Sequence, residues 1–277
     1  MDKKDDAEKT PITDVRQATF AYLAEHPLYY VLIFIIVFVG TYLSFYASDT
    51  VALFALIALF GIYIVIANKM RGYMMKQFAD SLGYTYSDTG DFASVQGSLF
   101  SIGHSQRIYD VISGTDKDRP VRIYLYQYTV GYGRDSHTCN YTIFENTFSG
   151  EIPHIVLHNV SIFLSEDGPN FSGSEHISLE GDFNKYFSLS VEKGFETEAY
   201  EIFTPDFMEE LIETSKTLGF EFSKNKLYIY MPKFVGTRAE LDSMFALSDK
   251  LCTKIEPVIN GMKEDVEDME EVEQTVK

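Results

Sequence analysis

The sequence predicts an α+β protein: a two-helix transmembrane hairpin, then one soluble domain with a mainly antiparallel sheet and flanking helices. Two observations lead to this prediction. Long apolar runs at residues 28–46 and 51–67 contain no charged residue. Further along, several short segments alternate polar and apolar residues with a period of two, which is typical of strands. The 277-residue chain is long enough to bury a sizeable core.

Residues 1–27 are expected to form a charged lead and a short amphipathic helix. The first part has no periodic pattern and predicts disorder. The part that follows carries a short apolar stripe that can begin at Thr13 or Asp14 and must end before Pro27. Two placements of this helix remain open, one in the membrane interface and one against the soluble domain.

Residues 28–68 are interpreted as the transmembrane hairpin. Each apolar run approaches the roughly 20 residues that cross about 30 Å of hydrocarbon as a helix. A short connection separates the runs, so the helices must be antiparallel. Gly40 and Gly61 have similar depths and could let the helices approach closely. A cleaved signal peptide is the competing interpretation, but the first run is long and follows a lead of 27 residues.

The distribution of basic residues predicts the orientation of the hairpin. Basic residues lie on both outer flanks and are absent from the connecting turn. The positive-inside rule then places both termini in the cytoplasm, as in a multi-pass protein of the cell (inner) membrane. The flanking residues are Lys3, Lys4, Lys9 and Arg16 before the hairpin, and Lys69, Arg71 and Lys76 after it. Two cysteines, Cys139 and Cys252, fit a reducing compartment.

The net charge of −18 argues against nucleic acid as a partner, because binding a phosphate backbone needs clustered Lys and Arg. It also predicts that the soluble part is repelled by an anionic leaflet. The expected partners are therefore the lipid bilayer and either a second protein or further copies of the chain. Neither span carries an ionisable residue, so a single hairpin is not expected to transport solutes.

The soluble domain is expected over residues 69–260, followed by an acidic disordered tail over 261–277. A helix should continue from the membrane to Leu82, with Gly83 as its C-cap. Strands are predicted at residues 107–113, 119–131, 136–148, 153–159, 176–180 and 185–192, with a hairpin over 220–232 that turns at Lys224–Lys226. Helices are predicted over 204–219 and, from a capping box at Thr237 and Glu240, over 237–255.

Four stretches carry a resemblance to a known family. They are Gly103 with His104, Val111–Gly114, Tyr124–Gly133 and Phe183–Leu211. In these stretches the chain resembles a family of bacterial membrane-anchored proteins whose soluble part is a domain of unknown function. The likeness covers roughly residues 69–252, with Phe203 where the family has Leu. It implies the topology and the fold, and transfers no catalytic residue or cofactor.

His137 and Cys139 are the first candidate for chemistry. Two residues apart on a strand, they project to one face, where a histidine could lower the pKa of the thiol and create a nucleophile. The alternative is a small thiol packed on a sheet beside a surface histidine. Because the sequence shows no signature of a cysteine hydrolase around this pair, the second interpretation is favoured.

Other histidines give weaker signals for a site. His154 and His158 share a face and could be two ligands of a metal, but two ligands do not make a site. His104 follows Gly103 in an irregular stretch, where it could contact a ligand or simply hold the loop by hydrogen bonds. The alternating tyrosines at 124–128 and 228–230 could stack on ligands, although tyrosine is also good core material in a half-buried sheet.

We therefore expect a non-catalytic, membrane-tethered interaction or scaffold module without a cofactor. The alternative is a membrane-anchored enzyme or ligand sensor that uses the His104 loop and the His137 and Cys139 hairpin. A third possibility is an envelope protein whose hairpin oligomerises.

Overall fold

The structure is a computed structural model that describes residues 11–46, 49–159, 171 and 173–275. In this part of the chain six α-helices accompany a seven-stranded antiparallel sheet, which confirms the predicted α+β class. The chain divides into two compact units. The first ends at Leu82 and takes in Val235–Asp242, and the second contains Gly83–Phe234 and the residues from Ser243 onward.

Three helices make most of the first unit: α1 (Val15–Glu25), α2 (Pro27–Tyr46) and α3 (Asp49–Leu82). The side chain of Asp14 caps α1 by accepting hydrogen bonds from two backbone N–H groups, and the helix ends before Pro27, as predicted. With 34 residues, α3 is about 50 Å long. It ends where Gly83 adopts a positive φ of 71°.

The apolar helices of the first unit expose large side chains, among them Phe34, Phe54 and Phe60. Among the described residues, one helix segment, Leu53–Leu82, is long and apolar enough to cross a membrane. Helix α1 and the part of α2 up to Tyr42 are long and apolar enough only when they are counted as one segment, and the two are bent by 90° relative to each other. These helices support association with a membrane, and the two-span hairpin stays a prediction.

The second half of α3 is largely buried, in contrast to its first half. Met70, Met74 and Phe78 are almost fully buried. The segment Val235–Asp242 also belongs to this unit, because the backbone N–H of Val15 donates to the Gly236 carbonyl at 2.9 Å. The second compact unit begins at Gly83, and the predicted start of the soluble domain at residue 69 stays a prediction.

The second unit is built on one sheet with the order β1-β2-β3-β4-β6-β5, and β7 also pairs with β4. The strands are β1 (Thr85–Thr89), β2 (His104–Asp116), β3 (Arg119–Val130), β4 (His137–Asn159), β5 (Ser174–Ile177), β6 (Phe187–Glu192) and β7 (Gly219–Met231). The remaining helices are α4 (Glu196–Ile202), α5 (Pro205–Thr214) and α6 (Arg238–Thr275). Strands β2, β3 and β4 form the predicted antiparallel meander, and β1, which was not predicted, pairs with β2.

Two strand predictions need correction. The predicted strands at 136–148 and 153–159 are one strand, β4, and the predicted hairpin at 220–232 is also one strand, β7. The two strands pair with each other, and their register shifts between Thr147 and Ile155. Lys224, expected in a turn, has a φ of 56° at this irregularity. A left-handed residue opposite an irregular partner makes a bulge, which bends a strand without ending it.

The helix predictions differ from the structure at their ends. Helix α5 stops at Thr214, because the chain enters β7 at Gly219. Helix α6 opens with the predicted capping box, in which Glu240 N–H donates to the Thr237 hydroxyl at 3.2 Å. It runs to Thr275, so residues 261–275, expected as a disordered tail, are helical. An anchored helix extends at little cost through residues such as Glu that favour helix.

Two predicted segments lie mostly outside the described residues: the charged lead before residue 11 and the loop predicted around 161–174.

The sheet of the second unit has two covered faces. On one face α6 covers the sheet, and the buried Asn146 amide donates to the Ser248 hydroxyl at 2.8 Å. The opposite face carries the tyrosines of β3, β4 and β7. This second face holds the unit's unusual polar groups.

Candidate functional site

The tyrosine face is part of the core. Tyr124, Tyr126 and Tyr128 of β3 project from one side of the strand and are at most 4% exposed, and Tyr228 and Tyr230 of β7 are equally buried. These tyrosines therefore form core structure, as one of the two sequence interpretations held. Burial raises the pKa of these hydroxyls above the usual 10, so they stay neutral hydrogen-bond donors near pH 7.

A short segment, Phe92–Ile102, covers this face, and we call it the covering segment. It contains two short 3₁₀ turns, Phe92–Ser94 and Ser98–Ser101. The ring of Phe100 meets Tyr126 and Tyr228 edge-on, with ring centroids 5.0 and 5.3 Å apart. Such edge-to-face contacts are favourable beyond simple burial. Aromatic packing thus holds the centre of the segment.

Glu221 holds the covering segment at Ser98. Its side chain is 0% exposed. Oε1 accepts hydrogen bonds from the Ser98 backbone N–H at 2.5 Å and the Ser98 hydroxyl at 2.8 Å, and Oε2 accepts one from the Tyr230 hydroxyl. Gly97 precedes this contact with a φ of 134°, and a Cβ there would lie 3.1 Å from Oε2. The glycine therefore allows the backbone to approach the carboxylate closely.

Glu145 has the same function nearer the start of the segment. Its buried carboxylate accepts a hydrogen bond from Lys226 Nζ at 2.6 Å and another from the Tyr124 hydroxyl at 3.1 Å. Lys226 Nζ also donates to the Ser94 carbonyl at 3.1 Å, and Arg122 donates to the Ser94 hydroxyl at 3.0 Å. The charge of the carboxylate is thus compensated, as a buried ion requires. The compensating cations bind the covering segment.

Ser98, His154 and Glu221 resemble a catalytic triad in composition but not in geometry. His154 Nε2 lies 2.7 Å from Glu221 Oε1 and 3.2 Å from the Ser98 hydroxyl. A carboxylate only accepts, so Nε2 carries the proton that joins the two groups. In a triad the nitrogen beside the serine accepts, while the other nitrogen contacts the acid. The cluster therefore stabilises the carboxylate and does not generate a nucleophile.

A polar cleft of about 470 Å³ opens beside this cluster and is the candidate binding site of the second unit. Ser98 and His154 of the cluster line it, together with Gln96, Ser101, Ser223 and Lys224. Its wall also contains the His154 ring, which stacks on Phe171 with ring centroids 3.7 Å apart. The lining offers hydroxyl, amide and ammonium groups beside the apolar Phe171 ring, which suits a small ligand that carries polar groups.

His104 begins β2 and is partly exposed. Its Nε2–H donates to the Gly131 carbonyl at 2.9 Å, and its ring stacks on Tyr132 with centroids 4.6 Å apart. Both contacts lie in the turn between β3 and β4. These contacts agree with the interpretation in which His104 holds a loop by hydrogen bonds rather than contacting a ligand.

His137 and Cys139 are neighbours on β4, with Nε2 3.4 Å from Sγ. Burial raises the pKa of the Cys139 thiol, so the reactive thiolate is less populated than in a free cysteine. His137 pairs with Val130 and His104 with the adjacent Thr129. Because neighbouring strand residues point to opposite faces, His104 and His137 do not converge on one site.

His154 and His158 have different surroundings despite their spacing. His154 is hydrogen-bonded to Glu221, while burial lowers the pKa of His158. Within the residues that the structure describes, no group of three or more His, Cys, Asp or Glu side chains is arranged to hold a metal ion. In the helices, a Cβ at Gly40 would lie 2.7 Å from that of Ala55, whereas one at Gly61 would have open space.

Sequence reasoning missed Ser98, Glu145 and Glu221. A signal for both acids was present, since each directly follows a phenylalanine in a predicted strand, in "TIFENTF" and "FEFS". Glu145 follows Tyr141 and Ile143 at a period of two, which places it on their face. The role of Ser98 depends on a contact 123 residues away and has no local signal.

Comparison with known proteins identifies a solved structure with a similar fold but assigns the chain to no family. No family model and no curated protein matches the chain. A similar solved structure is the crystal structure of the mycobacterial trehalose monomycolate transport factor A, TtfA, with a TM-score of 0.51 and 13% sequence identity. The likeness covers 68% of this chain and 93% of that chain. At this identity, the protein shares a fold with TtfA, and the family resemblance rests on sequence motifs alone.

Proposed function

We propose that the chain is a membrane-tethered interaction or scaffold module without a catalytic role. The proposal rests on the difference in side-chain exposure between the two halves of α3. Its first half exposes large apolar side chains, such as Phe54 and Phe60. In its second half, side chains such as Met74 and Phe78 are buried. One uninterrupted helix thus links an apolar surface suited to lipid with a folded protein unit.

The chemistry of the second unit supports the non-catalytic part of the proposal. Its buried carboxylates, Glu145 and Glu221, are engaged by donors that hold the covering segment. The neighbour TtfA is named a transport factor. A non-catalytic role for the second unit is compatible with that name.

The proposed topology has both termini in the cytoplasm and two spans, over residues 28–46 and 51–67. Asp49 to Lys69 covers about 30 Å of helix, which matches the hydrocarbon core of a bilayer. Single cysteines at Thr50 and Glu201, in a chain with Cys139 and Cys252 changed to Ala, test it. An impermeant maleimide should label T50C in intact cells, and E201C only after permeabilisation. The reverse pattern would contradict the topology.

Native mass spectrometry of the full-length protein in its own lipid tests the interaction role. A stoichiometric second protein, or further copies of the chain, is the expected bound species. A zinc ion or a small molecule that is lost when His104, His137 or His154 is changed to Ala would contradict the proposal.

A ligand sensor is the second candidate, and the polar cleft beside His154 is the observation that favours it. Substitution S223L should fill the cleft while leaving the Glu221 contacts intact. If the cell then loses the function that deletion of the protein removes, with the fold unchanged, the sensor is preferred. An unaffected S223L variant favours the scaffold.

A further inference from the structure

A second pocket, of about 260 Å³, lies along one face of α1 in the first unit. Ala18 and Ala21 of α1 and the buried Met70 of α3 give it apolar walls. Tyr22 and Glu25 lie at one end of this face. Asp14 and Gln17 also line the pocket nearer the start of α1, so its apolar walls lie between these groups and the polar end at Tyr22 and Glu25.

Charges of both signs meet at the polar end. Lys69 Nζ donates to the Tyr22 hydroxyl at 3.1 Å and lies 4.9 Å from the centroid of the Tyr22 ring. Glu25 follows Tyr22 by three residues, which makes the two side chains neighbours on the helix surface. An ammonium group and a carboxylate thus flank the same tyrosine.

This end of the pocket lies beside the start of the apolar helices. The axis of α1 is bent by 90° from that of α2. Phe20 of α1 is 62% exposed, and its ring centroid lies 5.9 Å from that of Tyr63 on α3. Aromatic rings and lysines in this arrangement are typical of the lipid headgroup region.

We propose that the pocket binds a phospholipid whose headgroup carries a primary ammonium, as in phosphatidylethanolamine. The ammonium meets Glu25, the phosphate meets Lys69, and the upper part of an acyl chain fills the space between Ala18, Ala21 and Met70. The opposite charges of Glu25 and Lys69 match those of a zwitterionic headgroup and would repel parts of a purely anionic or cationic one. This inference rests on the proposed anchoring in a membrane.

Tryptophan fluorescence provides the test, because the chain contains no Trp. The variant F20W, reconstituted at full length in vesicles, reports on lipid beside α1. Brominated phosphatidylethanolamine should quench it about two- to fivefold more strongly than brominated phosphatidylglycerol, the range expected for an exposed ion pair. The added substitution E25Q should abolish this preference, and so should A21F, which fills the pocket. The control D80N changes an exposed acid on α3 and should preserve the preference.

The variant I35W separates this proposal from the proposed anchoring. It places the reporter on an exposed position of α2. If both brominated lipids quench I35W while F20W shows no headgroup preference, the lipid site is wrong and the anchoring stands. That result is expected if a segment of a partner protein fills the pocket. A preference that survives E25Q also overturns the lipid site, and an unquenched I35W overturns the anchoring itself.

Discussion

Replacing Glu221 by Ala should release the covering segment from the sheet. The carboxylate is the shared acceptor for the Ser98 backbone N–H, the Ser98 hydroxyl, the Tyr230 hydroxyl and His154 Nε2. The substitution removes that acceptor and leaves its donors in place. A buried donor without a partner costs more than the hydrogen bond itself contributed.

The free energy lost in E221A depends on how many hydrogen-bond donors stay buried without an acceptor. The His154 side chain is 23% exposed and can turn to water. Ser98 N–H, Ser98 O–H and Tyr230 O–H remain, at about 1 kcal/mol or more each, which gives a loss of about 3–5 kcal/mol. Substitution S98A removes one hydroxyl and keeps the backbone contact, so about 1 kcal/mol is expected.

Hydrogen exchange of the full-length protein in vesicles, followed by mass spectrometry, measures this effect. Exchange of peptides that contain residues 92–102 should accelerate at least about 100-fold in E221A and about fivefold in S98A. The variant E151A changes an exposed acid of β4 and should leave exchange unchanged. If E221A exchanges like the parent protein, Glu221 does not hold the segment and the reasoning is refuted.

Three further predictions concern single side chains. Substitution G40L should separate α2 from α3, because even a Cβ would lie 2.7 Å from that of Ala55, and should cost about 1–3 kcal/mol. The control G61L has open space, so equal thermal stability of the two variants would contradict the contact. Iodoacetamide should modify Cys139 more slowly than a free cysteine at pH 8, because burial raises the pKa of its thiol. Faster modification would support the hypothesis that Cys139 is a reactive nucleophile. Burial lowers the pKa of His158 below 6.5, so its contribution to stability should be complete above that pH and be lost as the pH falls through the lowered pKa. Thermal unfolding at pH 7 and pH 5 should then show less acid sensitivity in H158Q than in the parent, and an equal loss would contradict this assignment.

Local signals predicted many elements of the fold correctly. Pro27 and the cap at Asp14 bound α1, and the capping box at Thr237 and Glu240 opens α6, as expected. These signals are reliable because their hydrogen bonds join residues a few positions apart. The errors occurred where strands bend. The sequence near Lys224 reads as a turn, but pairing with β4 keeps the strand continuous through a bulge.

The candidate site was predicted less well than the fold. His104, His137 and Cys139 attracted notice because histidine and cysteine are rare and chemically versatile. The structure gives His104 a contact with the turn at Gly131 and leaves His137 beside the partly buried thiol of Cys139. The groups that organise the core are the common residues Glu145 and Glu221, whose importance comes from burial.

The sequence by itself determined the α+β class, the long apolar helices and the meander of β2–β4, because each follows from a pattern of neighbouring residues. Only the tertiary structure decided that Glu221 binds Ser98, which is 123 residues away in the chain. It also decided that the segment from Val235 to Asp242 joins α1 and α3 in the first unit. Such contacts form between residues far apart in the chain, so their energy depends on a geometry that no local pattern encodes.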